Sequence, residues 1–231
     1  MSSLSKETAA APTKSPGIMI TVKTFTVNFI EENCYVLSDT AGNAVIIDCG
    51  AYSPEEQRAI SHYITTARLT PRHLLCTHGH FDHIFGNQYI HDTYGLQPQL
   101  HANEAATYAA AAEQMQTFLH RDLPLQTPTP GRLLQDGDVI ALGQHQLRVI
   151  ATPGHTPGGV CFYLEKEQLL FSGDSLFRGS IGRCDLPGGN EAQLLFALRS
   201  KILTLPETTS VYPGHGPATT IGRERSSNPF F

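Results

Sequence analysis

The sequence predicts an α/β protein in which two mixed β-sheets lie face to face and helices cover their outer sides. Three observations predict it. Short runs rich in Val, Ile, Leu and Phe recur along the chain and read as buried strands. The order strands, helix, strand, helix is followed by strands, helix, strand again. Clusters of His, Asp and Gly stand where several of those runs end, so each half of the chain carries its chemistry on strand-end loops.

The elements follow in order. Residues 1–17 are rich in Ser, Thr, Ala, Lys and Pro without periodicity, and read as a flexible leader. No boundary is legible in residues 18–231, which read as one domain. Apolar and polar residues alternate from Ile18 to Phe29, the pattern of a half-buried strand. Asn33–Leu37 and Asn43–Asp48 are strands joined by a turn over Thr40–Asn43. Ser53 reads as a helix N-cap, with Pro54 at the first helical position and Glu55 and Glu56 in the first turn, and this helix is expected to run to about Ala67. His73–Thr77 is a buried strand. A short helix follows His83, then a strand around Gln99–His101. Asn103–His120 is alanine-rich, lacks Pro and Gly, and predicts one unbroken helix. Leu123–Arg132 carries three prolines and reads as a linker or substrate-facing loop. Val139–Leu142 and Gln146–Ala151 form a hairpin, preceded by a turn at Asp136–Asp138. Val160–Leu164 and Gln168–Ser172 are strands, Glu191–Leu203 is an amphipathic helix, and Ser210–Tyr212 is the last strand.

Composition narrows the function. A net charge of −5 without a basic run lacks the electrostatic footprint of a nucleic-acid binder. No stretch approaches the ~20 apolar residues of a membrane span. The N-terminus lacks the basic and apolar regions of a signal peptide. The five cysteines (Cys34, Cys49, Cys76, Cys161, Cys184) are odd in number, widely spaced and without CxxC. That is the pattern of reduced thiols, and a cytoplasmic location is expected.

The chemistry is concentrated in Thr77-His78-Gly79-His80-Phe81-Asp82-His83, where three imidazoles and a carboxylate fall within six residues at a strand end. His78 and His80 can face one metal ion, and Asp82 and His83, one turn on, a second. A rigid strand end supplies such donors with little ordering cost. His155 and His215 each follow Pro-Gly at the end of a strand, and Asp174 follows Gly173 at the end of another. Each is a weak signal alone; together with HxHxDH they are a strong one. The other six histidines (His62, His73, His91, His101, His120, His145) read as ordinary core or surface residues.

With these motifs the chain resembles the metallo-β-lactamase superfamily, over nearly all of residues 18–231. The resemblance implies a four-layer αββα sandwich with the site along one sandwich edge. It implies that His78, His80 and His155 bind one metal, that Asp82, His83 and His215 bind a second, and that Asp174 bridges both. True β-lactamases usually lack the bridging aspartate. Ser172–Arg183, Gly214–Pro217 and the closing Ile221–Arg225 with Asn228-Pro229-Phe230 are similar to the short bacterial members of the glyoxalase II (hydroxyacylglutathione hydrolase) branch. Long members add a helical C-terminal domain with basic residues for the glutathione carboxylates. Here 16 residues follow His215, and that clamp is not expected. Arg183 matches a lysine of those enzymes and is the candidate for a substrate carboxylate; pairing with Asp185 is its equal alternative. Cys184 reads as a small loop residue rather than a nucleophile.

The expected activity is hydrolysis of a thioester such as S-D-lactoylglutathione. Two divalent ions, zinc first with iron or manganese as alternatives, share a hydroxide that attacks the carbonyl. Asp174 and Asp82 are its catalytic carboxylates. The expected partner is therefore a small-molecule thioester, glutathione-linked. A persulfide dioxygenase-like enzyme with one iron on His78, His155 and Asp174 is the main alternative. A lactonase or phosphodiesterase on the same centre is a second.

Overall fold

The computed structural model describes residues 19–120 and 125–231. The expected leader over residues 1–17 lies outside them, as do the first two residues of the Leu123–Arg132 linker. One six-stranded sheet is built from β1 (Thr21–Val27), β2 (Glu32–Ser38), β3 (Asn43–Ile47), β4 (Thr70–Leu75), β5 (Pro98–His101) and β6 (Leu133–Leu134), in that spatial order. The second runs β14-β13-β10-β9-β8-β7 and comprises β7 (Val139–Leu142), β8 (His145–Ala151), β9 (Val160–Leu164), β10 (Leu169–Gly173), β13 (Ser210–Pro213) and β14 (Thr219–Thr220). A separate two-stranded hairpin, β11 (Leu176–Phe177) and β12 (Ser180–Ile181), follows β10. Both large sheets are mixed: β3, β4, β5 and β6 pair in parallel, as do β10 and β13, and the other pairings are antiparallel.

The two-residue period of a strand assigns each apolar side chain to a layer. Tyr35, Leu37, Val45 and Ile47 of the first sheet point inward and meet Val160, Phe162, Leu164 and Phe171 of the second. Their neighbours Cys34, Val36, Ala44 and Ile46 point outward under α1 (Pro54–Thr66) and α3 (Asn87–Tyr94), against Ile60, Ile64 and Ile90. On the far side, Cys161 and Tyr163 pack under α6 (Glu191–Ala197) and α7 (Ile221–Ser227), against Leu194 and Ile221. Both faces of both sheets are thus covered, which is why residues 34–37 of β2 and the whole of β9 are apolar without alternation. This is the four-layer αββα sandwich that the sequence predicts.

Helix α1 begins as the sequence demands. The Ser53 hydroxyl accepts from Glu56 N at 3.2 Å, and the Glu56 carboxylate accepts from Ser53 N at 2.9 Å, a reciprocal capping box. Two helices differ from expectation. Asn103–His120 is a 3₁₀ turn over Ala102–Glu104, then α4 (Ala105–Ala109) and α5 (Ala111–Leu119), interrupted at Ala110. Alanine favours helix but cannot hold the chain against a local contact, and Gln114 Nε2 donates to the Thr107 carbonyl across the break at 2.7 Å. Glu191–Leu203 changes at Leu198 to π-helical turns, which keep Leu198 and Ile202 buried. The β11–β12 hairpin and β14, whose strands are only two residues long, and the seven-residue α7 are additions that periodicity does not reveal.

All five cysteines are free thiols. Cys34, Cys49, Cys76 and Cys161 are buried, whereas Cys184 is half-buried against the layer under α6. Burial pushes the Cys184 thiol above its ordinary range, which fits a packing residue rather than a nucleophile. Among the described residues no helix is long and apolar enough to cross a membrane.

Candidate metal centre

The strands that carry the ligand candidates end at one edge of the sandwich. β3 and β4 are parallel neighbours, and β10 and β13 are parallel in the other sheet. β8 runs with β10 because both are antiparallel to β9. Backbone bonds stitch the sheets together there: Val160 N donates to Thr77 O at 2.9 Å and Asn33 N to Gly214 O at 2.8 Å. His78 and His80 leave β4, Asp82 and His83 lie on the short helix α2 (Phe81–Ile84), His155 follows β8, Asp174 follows β10 and His215 follows β13.

Two glycines make that edge possible. Gly173 has φ +47° at a bulge between β10 and β13, and a Cβ there would lie 2.2 Å from Thr77 Oγ1. The bulge turns Asp174 out of the ladder toward the site. Gly214 precedes His215, and a Cβ on it would meet Asp174 Oδ1 at 2.3 Å and His83 Cε1 at 2.6 Å. The glycine of this Pro-Gly-His is required for space, not for an unusual φ.

All seven predicted residues come together. The potential ligand atoms of His78, His80 and His155 lie within 4.8 Å of one another, and so do those of Asp82, His83 and His215. His80 Nδ1 faces His155 Nε2 at 3.0 Å, and His83 Nε2 faces His215 Nε2 at 3.3 Å. Asp174 stands between the trios: Oδ1 is 3.4 Å from His83 Nε2, and Oδ2 is 3.5 Å from His155 Nε2 and 3.8 Å from His215 Nε2. None of the six other histidines joins either group.

These residues fit a divalent ion. Donor atoms on one tetrahedral ion at about 2.0–2.1 Å stand roughly 3.3 Å apart, close to the separations here. His78 Nε2 and Asp174 Oδ1 are buried without a hydrogen-bond partner, a costly arrangement unless something else satisfies them. In four of the five rings the outer nitrogen is engaged. His155 Nδ1 donates to Arg183 O at 2.7 Å and His215 Nδ1 to Ile30 O at 3.1 Å. Thr77 Oγ1 donates to Asp48 Oδ2 and so accepts from His78 Nδ1 at 3.1 Å. His83 Nδ1 faces Asp48 Oδ2 at 3.1 Å. In these four rings Nδ1 is held by a neighbour and Nε2 is left toward the site, the orientation that backing hydrogen bonds impose on ligating imidazoles.

Electrostatics divide the rings. Burial, aided by the neighbouring imidazoles, holds His78 well below its ordinary range, and burial beside His155 pushes His80 down to about 4. Burial also opposes charge on His83, but Asp174 and Asp82 outweigh it and raise that ring. Asp82 and Asp174 are both lowered: burial would raise each, and His83 reverses it.

Three contributors carry no sequence signal comparable to the histidines. Asp48, at the end of β3 with φ +50°, accepts from Thr77 N at 2.7 Å and Thr77 Oγ1 at 2.6 Å besides facing His83. Glu32 is buried behind the same ring, with Oε1 3.9 Å from His83 Nδ1. Glu104 is buried among donors from two of the loops that carry candidate ligands. Only Asp48 shares a hint with the candidate ligands, since it too follows an apolar strand.

Arg183 forks Asp185 with Nε at 2.7 Å and Nη2 at 2.6 Å, so the structural alternative of the sequence reading is formed. The pair is half exposed or more on both sides, and the guanidinium lies 5.9 Å from the centre of the Phe118 ring.

A two-sheet sandwich with a His/Asp cluster on one edge defines a class. The chain belongs to the metallo-β-lactamase superfamily, whose family profile matches residues 27–215, a span that takes in all seven site residues. Among similar proteins, the hydroxyacylglutathione hydrolase GloC of Haemophilus influenzae is 34% identical over 207 residues, 88% of this chain and 94% of that one. The crystal structure of the BLEG-1 B3 metallo-β-lactamase is 39% identical with a TM-score of 0.83, covering 91% of this chain and 99% of the other. That of TTHA1623 in a di-iron-bound form is 37% identical with a TM-score of 0.80, covering 91% and 100%.

Proposed function

We propose that this protein is a dinuclear metallohydrolase that cleaves small-molecule thioesters of the hydroxyacylglutathione type. One observation carries the dinuclear part: Asp174 reaches both trios, with one buried oxygen left without a partner. His78, His80 and His155 would hold one ion, Asp82, His83 and His215 the other, and Asp174 both. When bound, such a pair supplies Lewis acidity and a water whose pKa is lowered toward 7. Nitrogen and oxygen donors admit zinc, iron or manganese, and TTHA1623 carries two irons.

The chain's own groups do the rest. Asp82, 3.2 Å from His215 Nε2, accepts the hydrogen bond that orients the attacking water. Asp48 and the Arg183 carbonyl keep His83 and His155 aimed. The thioester preference rests on likeness to GloC and on the glyoxalase II-like motif around Asp174. Likeness to BLEG-1 favours a second reading, β-lactam hydrolysis, on the same centre. A mononuclear iron dioxygenase on His78, His155 and Asp174 would leave Asp82, His83 and His215 without a task.

One experiment separates the two hydrolytic readings: steady-state hydrolysis of S-D-lactoylglutathione, an uncharged thioester and a chromogenic cephalosporin by the wild type, Arg183→Ala and Arg183→Lys. The wild type is expected to cleave both thioesters and leave the cephalosporin. Exposed ion pairs are weak, so a substrate carboxylate can displace Asp185 from Arg183 at little cost. Arg183→Ala should therefore raise KM for the glutathione thioester about tenfold, ~1.4 kcal/mol, with kcat less affected and the uncharged thioester hardly changed. Arg183→Lys keeps the charge but loses the planar fork and should fall between. Equal losses on both thioesters make Arg183 structural, and cleavage of the cephalosporin alone favours the lactamase reading.

A further inference from the structure

Glu104 is a buried carboxylate with no place among the candidate ligands. It ends the 3₁₀ turn before α4 and receives three donors from two separate loops. Gly79 N, between His78 and His80, donates to Oε1 at 3.1 Å. Thr156 Oγ1, next to His155, donates to Oε2 at 2.9 Å, and Gly158 N to the same oxygen at 2.7 Å. The two loops therefore close on one rigid acceptor. The approach is too close for side chains on either loop: a Cβ on Gly158 would lie 2.5 Å from Glu104 N, and one on Gly79 would lie 2.6 Å from Tyr108 N. Burial pushes the Glu104 carboxyl up, and the three donors oppose it, so the group is retained against a desolvation cost.

These bonds are one-sided with respect to the centre. They fix the loops of His78, His80 and His155. The other trio is backed elsewhere: Asp48 faces His83, Ile30 O holds His215, and Asn28 Nδ2 donates to Asp82 O at 2.9 Å.

We propose that Glu104 is a positioning residue that sets the spacing of His78, His80 and His155, and thereby the affinity of that trio for its ion. The inference rests on the two-ion reading above. Outer partners of metal ligands commonly contribute 10–100-fold in affinity.

The test measures Co²⁺ affinity, by visible absorption in competition with a chelator, in two single-site backgrounds. His215→Ala weakens one trio and leaves His78, His80 and His155; His80→Ala does the reverse. Adding Glu104→Gln, whose amide turns an N–H₂ toward a donor, is expected to weaken Co²⁺ binding 10–100-fold in the first background and less than twofold in the second. Thr156→Val removes one of the three bonds without touching the carboxylate and should act in the same background to a smaller degree. It decides the matter if Glu104→Gln does not fold, as judged by circular dichroism of the metal-free protein. Unchanged affinity in the first background, or equal losses in both, overturns the proposal. Absence of Co²⁺ binding by the otherwise unmodified chain overturns the two-ion reading itself, and the inference with it.

Discussion

Replacing Asp174 with alanine is expected to abolish thioester hydrolysis and to lower retention of both metals. Its oxygens are the only carboxylate atoms within 4 Å of imidazole nitrogens from both trios among the described residues: His83 and His215 on one side, His155 on the other. On the two-ion reading, removing it would take a donor from both ions at once, and it leaves the imidazoles without the negative charge between them. A loss of at least about 10³-fold in kcat/KM is expected, ~4 kcal/mol of transition-state stabilisation. His215→Ala takes one donor from one trio and should leave one ion firmly held. Elemental analysis of both variants alongside the rate makes the comparison. Full metal content and full rate in Asp174→Ala would show that it bridges nothing.

Asp48→Ala is expected to lower the stability of the metal-free protein by about 2–4 kcal/mol. Buried donors that lose their acceptor cost about 1–3 kcal/mol, and here Thr77 N and Thr77 Oγ1 both lose theirs. The backbone adds to it, because Asp48 sits at φ +50°, where aspartate and asparagine are tolerated better than alanine. For a chain of this size the melting temperature should fall on the order of 10 °C. Asp48→Asn keeps the backbone preference and one carbonyl acceptor, so it should recover more than half of the loss. Thermal melting with chelator present checks both variants. An Asp48→Ala protein as stable as the wild type would mean that these bonds contribute nothing net.

The contrast between Asp174 and Asp48 shows what the sequence makes legible. HxHxDH is readable as a candidate site because its potential donors are adjacent and of unmistakable type. His155, Asp174 and His215 are readable because each follows glycine at the end of an apolar run. The sandwich is readable because strands such as Val160–Leu164 are too short and too apolar for anything but a doubly covered sheet. Asp48 and Glu104 are single carboxylates whose meaning lies in partners 29 and 35 residues away for Asp48 and 25 to 54 residues away for Glu104. No local pattern announces such a pair. The α4–α5 interruption is hidden for a related reason: an alanine-rich run states a preference for helix, while the bond from Gln114 to Thr107 across Ala110 is a feature of the folded chain. Arg183 is ambiguous in sequence because a guanidinium suits Asp185 and a substrate carboxylate equally; the structure adds the exposed Asp185 pair.

The central claim is that two ions on the two trios act together in hydrolysis. Its most direct test is titration of the metal-free protein with Zn²⁺, or with Fe²⁺ under anaerobic conditions, following S-D-lactoylglutathione hydrolysis at each equivalent. Activity is predicted to be absent without metal and to plateau at two ions per chain. A plateau at one ion per chain, or full hydrolysis by the metal-free protein, would contradict the account.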